Sequence, residues 1–516
     1  MAVPFSQLLL LIIGIICSSL FIVNCHGFSI RDATVEDCQQ GFKDNTLTSR
    51  QLVEFYLQEI QTLNTALRAV IEVNPDALSI ADSCDRERRS SPTPLGGLHG
   101  IPILLKDDIA TQDKLNTTDG SYALLSSVVP RDAGVVTRLR NAGAVILGKA
   151  SCSEWSGFRG TGVSPGWCGR TGQARNPYAL WRSPCGSSSG SAISVAANLA
   201  TVSLGQETDG SMLCPASSNS VVAIKPTVGL TSRAGILPVS PTQDTVGPMC
   251  RTVSDAVHTL DAIAGCDPND GVTCTPAAII PIGGYKQHLK TNGLQGKRLG
   301  IVRAPFFNFP PGSYLSTLFE GHIQTLRQAG AVVIDNLGIN NIQTILNPYQ
   351  SGQQRVLLSE FKQSINVYLS GLVSSPVRSL TDIINFNNNN MYLEMPNVYS
   401  QDLLVTSNNM YSGHLTERQQ ALWSMQNLDS NGFVRLMNVF NLDAIVTPGS
   451  AFSTVLAIGG HPGISVPAGY DTDGMPIGMC FGGLKFTEAK LIECAYGFEQ
   501  MTMMRRPPHL TNLSMK

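Results

Sequence analysis

Three short stretches of this chain carry residues that together can perform acyl chemistry. The first is Gly186-Ser187-Ser188-Ser189-Gly190-Ser191, and the second is Thr208-Asp209-Gly210-Ser211. Loops of this composition bend tightly and aim backbone N–H groups into a site. The third is Lys106, at the end of the apolar run Ile101–Leu105. An ammonium emerging from a core strand is desolvated, which lowers its pKa and suits it to act as the base a serine needs. Between the serine loops, Ala192–Ala200 reads as a helix and Thr201–Leu204 as a short strand. That folds the loops back on each other, so that Ser187 and Ser211 can face one another.

Taken singly these are ordinary features: a Ser/Gly loop, a strand-end lysine, a serine able to cap a helix. Their joint order resembles the amidase signature family, whose pattern runs roughly GIPxxxKD, then GGSSGGSA, then GxDxGGSIRxPA. The matching stretches are Gly100–Asp108 and two within Cys185–Ala216, with Ser187 and Ser211 24 residues apart as in the pattern. Ile224–Gly229, Asp443–Pro448, Ser465–Gly469 and Gly474–Gly478 match further, so the resemblance spans roughly residues 30–505.

The resemblance implies an α/β fold: a single large α/β/α domain around a mixed, twisted sheet. It also implies a Ser-Ser-Lys triad of Lys106, Ser187 and Ser211, with Ser187 in a cis peptide. The reaction implied is hydrolysis of the C–N bond of a small-molecule carboxylic amide through a seryl ester, releasing acid and amine or ammonia. Lys106 takes a proton from Ser187, Ser187 takes one from Ser211, and Ser211 attacks the carbonyl. Backbone N–H groups around Thr208, Asp209, Gly210 and Ser211 would hold the oxyanion, and Ser188 would hydrogen-bond the triad. No metal or cofactor is required, and His99, His258 and His461 read as structural.

The chain departs from the pattern at five positions. Cys185 and Ser189 replace glycines, which would narrow the cleft floor. Asp209 adds a carboxylate beside the oxyanion and is expected to point away from it. Leu213 stands where many members have Arg, which weakens the case for an anionic substrate. Asp108 replaces a frequent Asn, and a close carboxylate favours the charged form of Lys106.

The elements that must position these residues are partly visible in apolar spacing. Asp44–Leu63 has a helical face with Thr46 and Thr48 as capping candidates, and Ala69–Val73 reads as a strand. Arg86–Pro94 reads as a polar surface loop. Asp132–Ala142 reads as a helix stopped by Gly143 and followed by the strand Ala144–Leu147, a phrase echoed at Leu326–Val332. This is α/β grammar rather than a duplicated domain. Gly143–Lys149 fits GxxxxGK, but Ala150 stands where a phosphate loop needs Ser or Thr, and the middle residues are strand formers. ATP binding is therefore rejected. Cys266–Gly284 reads as a loop, Leu299–Val302, Asp443–Thr447 and Gly463–Val466 as strands, and Glu488–Met501 as a helix. Asn347–Asp429 looks different, with helical segments and an Asn-rich run. By resemblance this variable helical region, 347–429, covers the active site; from the residues alone it is equally a peripheral insertion.

Apolar residues make up 43% of the 516 and charged residues 14%, which fits a well-buried globular enzyme. A net charge of -2 gives no footprint for nucleic acid. Leu8–Val23 is a nearly unbroken apolar run of about 16 residues. Residues 1–27 therefore read as a secretory signal peptide, with a signal anchor as the rival, and 28–516 as the amidase domain. The expected location is the secretory pathway, extracellular or vacuolar, with no stable membrane span after cleavage. Sequons at Asn116 and Asn512 are compatible with glycosylation. Of 13 cysteines, 11 would remain after cleavage, too sparse for a disulfide scaffold. Cys214 reads as a packed small hydrophobe. Two other functions stay open on the same residues: an acyltransferase using an amine or alcohol acceptor, and a non-catalytic binding protein. The sequence does not set the oligomeric state.

Overall fold

Eleven strands form one mixed sheet in the computed structural model, which describes residues 29–93, 95–410 and 415–510. The candidate leader, the Asn512 sequon and most of the residues flanking them lie outside the described residues. In chain order the strands are β1 (Val70–Val73), β2 (Pro102–Lys106), β3 (Val145–Ala150), β4 (Trp167–Cys168), β5 (Gly172–Gln173), β6 (Val202–Glu207), β7 (Val222–Lys225), β8 (Thr245–Cys250), β9 (Arg298–Ile301), β10 (Val332–Ile334), β11 (Ala444–Pro448), β12 (Gly463–Tyr470) and β13 (Pro476–Gly482). The sheet runs β1-β3-β2-β6-β8-β7-β12-β13-β11-β9-β10, and β4 and β5 form a separate two-stranded hairpin.

β2 lies between β3 and β6 and pairs with both in parallel. All five of its residues are buried. A strand covered on both faces needs a continuous apolar run rather than an alternating one, which is why Ile101–Leu105 has no polar break before Lys106. Gly148 and Lys149 of the rejected phosphate loop lie within β3. There Lys149 Nζ donates to the Ile109 carbonyl (2.7 Å) and Thr117 Oγ1 (2.9 Å).

The helix between the serine loops is Ser189–Ala196, and every residue in it is buried. It begins three residues earlier than the apolar spacing predicts, because its first turn consists of small residues that pack as closely as alanine. At Gly190 a β-carbon would stand 2.3 Å from the Ala69 carbonyl oxygen and 2.4 Å from that of Ser151. The glycine is thus needed for close backbone approach, not for flexibility.

The two echoed helix–Gly–strand phrases fold alike. Gly143 and Gly330 have φ of 74° and 86°, and each precedes a strand. Arg86–Pro94 differs from expectation: Ala77–Ser90 is one helix that includes Arg86–Ser90. Its Arg88 pairs with Asp85 one turn back (2.7 Å) and lies over the Phe42 ring. Arg and Glu are good helix formers, and polarity alone does not make a loop. Cys266–Gly284 likewise contains short helical turns and a Cys266–Cys274 disulfide.

Among the described residues, the 347–429 region supplies six helices, including Gln353–Ser370 and Leu415–Asp429. It is pinned to the rest by buried ion pairs. Arg159 lies between Glu154 and Glu394, and Glu394 also accepts from Ser121 Oγ (2.9 Å) and the Tyr122 amide (2.7 Å). Removing one partner of such a buried set is costly, because it strands the other charge. No helix among the described residues is long and apolar enough to cross a membrane.

Candidate active site

Lys106 ends β2 with its side chain fully buried, and its Nζ donates to Ser187 Oγ at 2.9 Å. The same nitrogen reaches Ser156 Oγ (3.0 Å), Gln206 Oε1 (3.0 Å) and the Gln206 carbonyl (3.3 Å). Register explains part of this: Leu105 lies opposite Leu204, so Lys106 projects beside the end of β6, where Gln206 sits. Asp108 Oδ2 is 3.2 Å from Nζ, and both side chains are fully buried.

Of the two opposing influences expected from sequence, desolvation and the Asp108 carboxylate, the carboxylate prevails. Burial pulls the ammonium of Lys106 down, but Asp108 and Asp119 outweigh it and hold its pKa above the usual lysine value. The expectation of a lysine made neutral by desolvation is corrected: two carboxylates on the β2–β3 connection face it. Asp119 is itself pushed up to about 8, first by burial and then by Asp108. Its Oδ1 accepts from Ser156 Oγ (3.2 Å) and Cys152 Sγ (3.2 Å). Asp107 fixes the loop that carries Asp119, since its carbonyl accepts from the Thr118 and Asp119 amides, both at 3.1 Å.

A stability test follows from Asp119. A carboxylate with a native pKa above its unfolded value keeps a proton that the unfolded chain has lost. The native state is therefore penalised increasingly as pH rises from the ordinary carboxylate range toward about 8. Asp119→Asn mimics the protonated form. It should leave the melting temperature nearly unchanged at about pH 5 and raise it by a few degrees at about pH 8.5. Melting curves at the two pH values check this; an equal shift at both would refute it.

The Gly186–Ser187 peptide is cis, as the family resemblance implied. The Ser188 amide donates to the Ser211 carbonyl at 2.9 Å, which sets the two serine loops side by side. Ser211 follows β6 through a turn in which Gly210 has φ of 79°, a conformation that favours glycine. Glu207 closes that turn: its Oε2 accepts from the Met212 (2.7 Å) and Leu213 (2.9 Å) amides just past Ser211. Ser211 is 8% exposed, and its hydroxyl makes no protein hydrogen bond among the described residues, to Ser187 or to any other group. Such bonds often tighten only when substrate is bound.

Among the described residues, the N–H groups of Thr208, Asp209, Gly210 and Ser211 donate to no side chain or loop carbonyl. They are available to an oxyanion. The Asp209 carboxylate is held by Ser453 Oγ (2.8 Å) and Gln353 Nε2 (2.9 Å). Gln353 opens the helix Gln353–Ser370, so the 347–429 region touches the nucleophile loop directly. Thr208 Oγ1 donates to Asp244 Oδ1 (2.7 Å), and burial pushes Asp244 up to about 6.

Ser188 bonds the triad through its backbone, its amide donating to the Ser211 carbonyl, while its Oγ donates to the Gln206 carbonyl (3.0 Å), which also accepts from Lys106, and braces the strand. One expectation is corrected here. Cys214 is not a packed thiol but is bonded to Cys185. The crosslink closes 29 residues of chain, a constraint on the unfolded state of about 3–4 kcal/mol by loop-closure entropy. Ser189 Oγ donates to the Cys185 carbonyl at 2.5 Å, and Leu213 is buried in an apolar cluster with Phe452 and Leu456. The histidines sit elsewhere: His99 bonds Glu87 and His461 bonds Asp429. No group of three or more His, Cys, Asp or Glu able to hold a metal occurs among the described residues.

Sequence reasoning missed Ser156, Asp119, Gln206, Glu207 and Gln353. Only Gln206-Glu207 carried a signal, as polar residues continuing a buried strand straight into the Ser211 turn. The Asn116 sequon is half-buried: its Nδ2 donates to Glu72 (3.0 Å) and its Oδ1 accepts from the Ser126 amide (3.0 Å). A glycan there would cost those bonds.

Comparison with known proteins places relatives along nearly the whole chain. Residues 51–457 match the family model described as Amidase. A protein described as a probable amidase of Arabidopsis thaliana is 57% identical over 482 residues, which is 93% of this chain and 92% of its own. The structure of native peptide amidase from Stenotrophomonas maltophilia is 42% identical, with a TM-score of 0.87 over 94% of this chain and 100% of that one. An amidase family protein from Bacillus anthracis is 33% identical, with a TM-score of 0.86 over 96% and 97%.

Proposed function

This chain belongs to the amidase family and hydrolyses amides, and from that premise we propose that it acts through a Ser211 acyl-enzyme on the terminal carboxamide of short peptides and related neutral amides. The observation that carries the reading is the buried Lys106–Ser187 hydrogen bond of 2.9 Å, set beside a Ser211 turn whose amides are unengaged. Family membership removes the non-catalytic binding protein from consideration. The peptide carboxamide is supported by the 42% identity to a peptide amidase and by Leu213, which leaves no cation at that position to draw an anionic acyl group.

In the proposed sequence a proton passes from Ser211 to Ser187 and from Ser187 to Lys106 as Ser211 Oγ bonds to the carbonyl carbon. The tetrahedral oxyanion rests on the amides of Asp209, Gly210 and Ser211. Losing one such donor typically costs roughly 3–4 kcal/mol of barrier. The returning proton goes to the leaving nitrogen, ammonia departs, and water cleaves the ester to the acid. Lys106 must be neutral for the first transfer, so turnover should increase from neutral toward alkaline pH.

We also propose that the protein works in an oxidising compartment of the secretory pathway. The apolar run Leu8–Val23 and the two disulfides support this. The substrate test is a panel of peptide amides, free asparagine and glutamine, and aliphatic and arylacetic amides. Product mass is read with and without an added amine acceptor. Peptide amides should show the highest kcat/KM and yield the free acid. A preference for non-peptide amides would overturn the substrate assignment, and dominant capture by the amine would favour acyl transfer.

A further inference from the structure

We propose that the Cys185–Cys214 disulfide is a positioning element of the hydrolytic site, which sets the approach of Ser187 to Ser211 and makes turnover depend on its oxidation. This rests on the reading of Ser187 and Ser211 given above.

The placement is specific. Cys185 lies two residues before Ser187 and Cys214 three residues after Ser211, so the crosslink joins the two loops at their outer ends. The two hydroxyls share no hydrogen bond of their own, so their separation is set by the loops. Cys185 also sits at φ 59°, in the left-handed region, where the family pattern has glycine. A residue with a β-carbon is disfavoured there, and the cysteine's presence is accounted for by the bond its sulfur makes. Strain of this kind persists where surrounding structure holds it, often at functional sites.

Two non-covalent ties run beside the disulfide. The Ser188 amide donates to the Ser211 carbonyl at 2.9 Å, and Asn219 Nδ2 bridges the Pro184 (2.9 Å) and Pro215 (2.7 Å) carbonyls. Opening the S–S bond therefore leaves the loops neighbours and changes their alignment rather than the fold. Both half-cystines are partly exposed, whereas the seven free cysteines of the described chain are all buried. A small dithiol can reach this bond. In the exchange the S–S bond breaks, Cys185 and Cys214 each become a thiol, and the dithiol is oxidised to its own disulfide.

The test treats the full-length enzyme with dithiothreitol under native conditions. Alkylation and peptide mass establish that Cys185 and Cys214 have opened. kcat and KM on a peptide amide are measured, with the rate and site of fluorophosphonate labelling. The expected result is a fall of about tenfold or more in kcat and labelling rate, with little change in KM or circular dichroism and recovery on reoxidation. Cys185→Gly with Cys214→Ala should match the reduced enzyme and ignore dithiothreitol. Cys266→Ala with Cys274→Ala should keep the wild-type sensitivity. An opened bond with kcat and labelling rate within about twofold of wild type overturns the proposal, as does a wild-type kcat in the Gly/Ala pair. Labelling of oxidised wild type at a residue other than Ser211 overturns the nucleophile assignment instead. The response of amide turnover to dithiothreitol is read independently of where the label lands.

Discussion

Ser211→Ala should give a folded protein that forms no fluorophosphonate adduct and hydrolyses amides at least about 10⁴-fold more slowly. The substitution removes one oxygen from a side chain that is 8% exposed and makes no protein hydrogen bond among the described residues. Its effect on stability should therefore be small. The turn that carries it is held by Glu207 on the Met212 and Leu213 amides and by the Ser188 amide on the Ser211 carbonyl, and none of these uses the lost hydroxyl. The oxyanion amides remain, so weak turnover above the uncatalysed rate is expected to persist. Intact-mass spectrometry after labelling, with kcat/KM on a peptide amide, decides the matter. Retained activity with an adduct on a neighbouring serine would point to Ser187 or Ser188 as nucleophile.

The order of the site was readable because its parts are local. Lys106 follows an apolar run that only a strand buried on both faces requires, and the serine loops are small-residue turns flanking an all-buried helix. What surrounds Lys106 was not readable. Asp119 arrives from a loop fixed by Asp107, and Ser156 from a turn in which both Trp155 and Ser156 have positive φ. Desolvation, which any buried strand end implies, and the nearby Asp108 were therefore foreseen, while Asp119, which joins Asp108 in outweighing the desolvation, was not. Gln353 reaches Asp209 across 144 residues of chain, beyond any periodicity argument. The Cys185–Cys214 pairing is of the same kind, since several connectivities fit the spacing and only the fold selects one. The helix over Arg86–Ser90 was hidden differently: charged residues that are good helix formers were read for their polarity.

Lys106→Ala should lower kcat/KM by about 10³–10⁴-fold, Ser187→Ala by about 10²–10³-fold, and the double variant by little more than Lys106→Ala alone. Nζ of Lys106 and Oγ of Ser187 share one hydrogen bond of 2.9 Å, and the proton must cross it to leave Ser211. Removing either end breaks the same path, so the losses should not multiply. Ser187→Ala is milder because Lys106 keeps its bonds to Ser156 and Gln206, and a water entering the vacated space can pass the proton on. Lys106→Ala is harsher and strands Asp108, which then faces no cation within salt-bridge distance among the described residues. A buried carboxylate in that position takes up a proton, so this variant should melt at a lower temperature at alkaline pH than at acid pH. The pH profile separates the roles. Asp108 and Asp119 hold the pKa of Lys106 above its usual value, so wild-type kcat/KM should rise with pH through the alkaline range. Ser187→Ala should keep that rise at lower amplitude, and Lys106→Ala should lose it. Losses that multiply in the double variant, or an unchanged alkaline rise in Lys106→Ala, would remove Lys106 from the role of base.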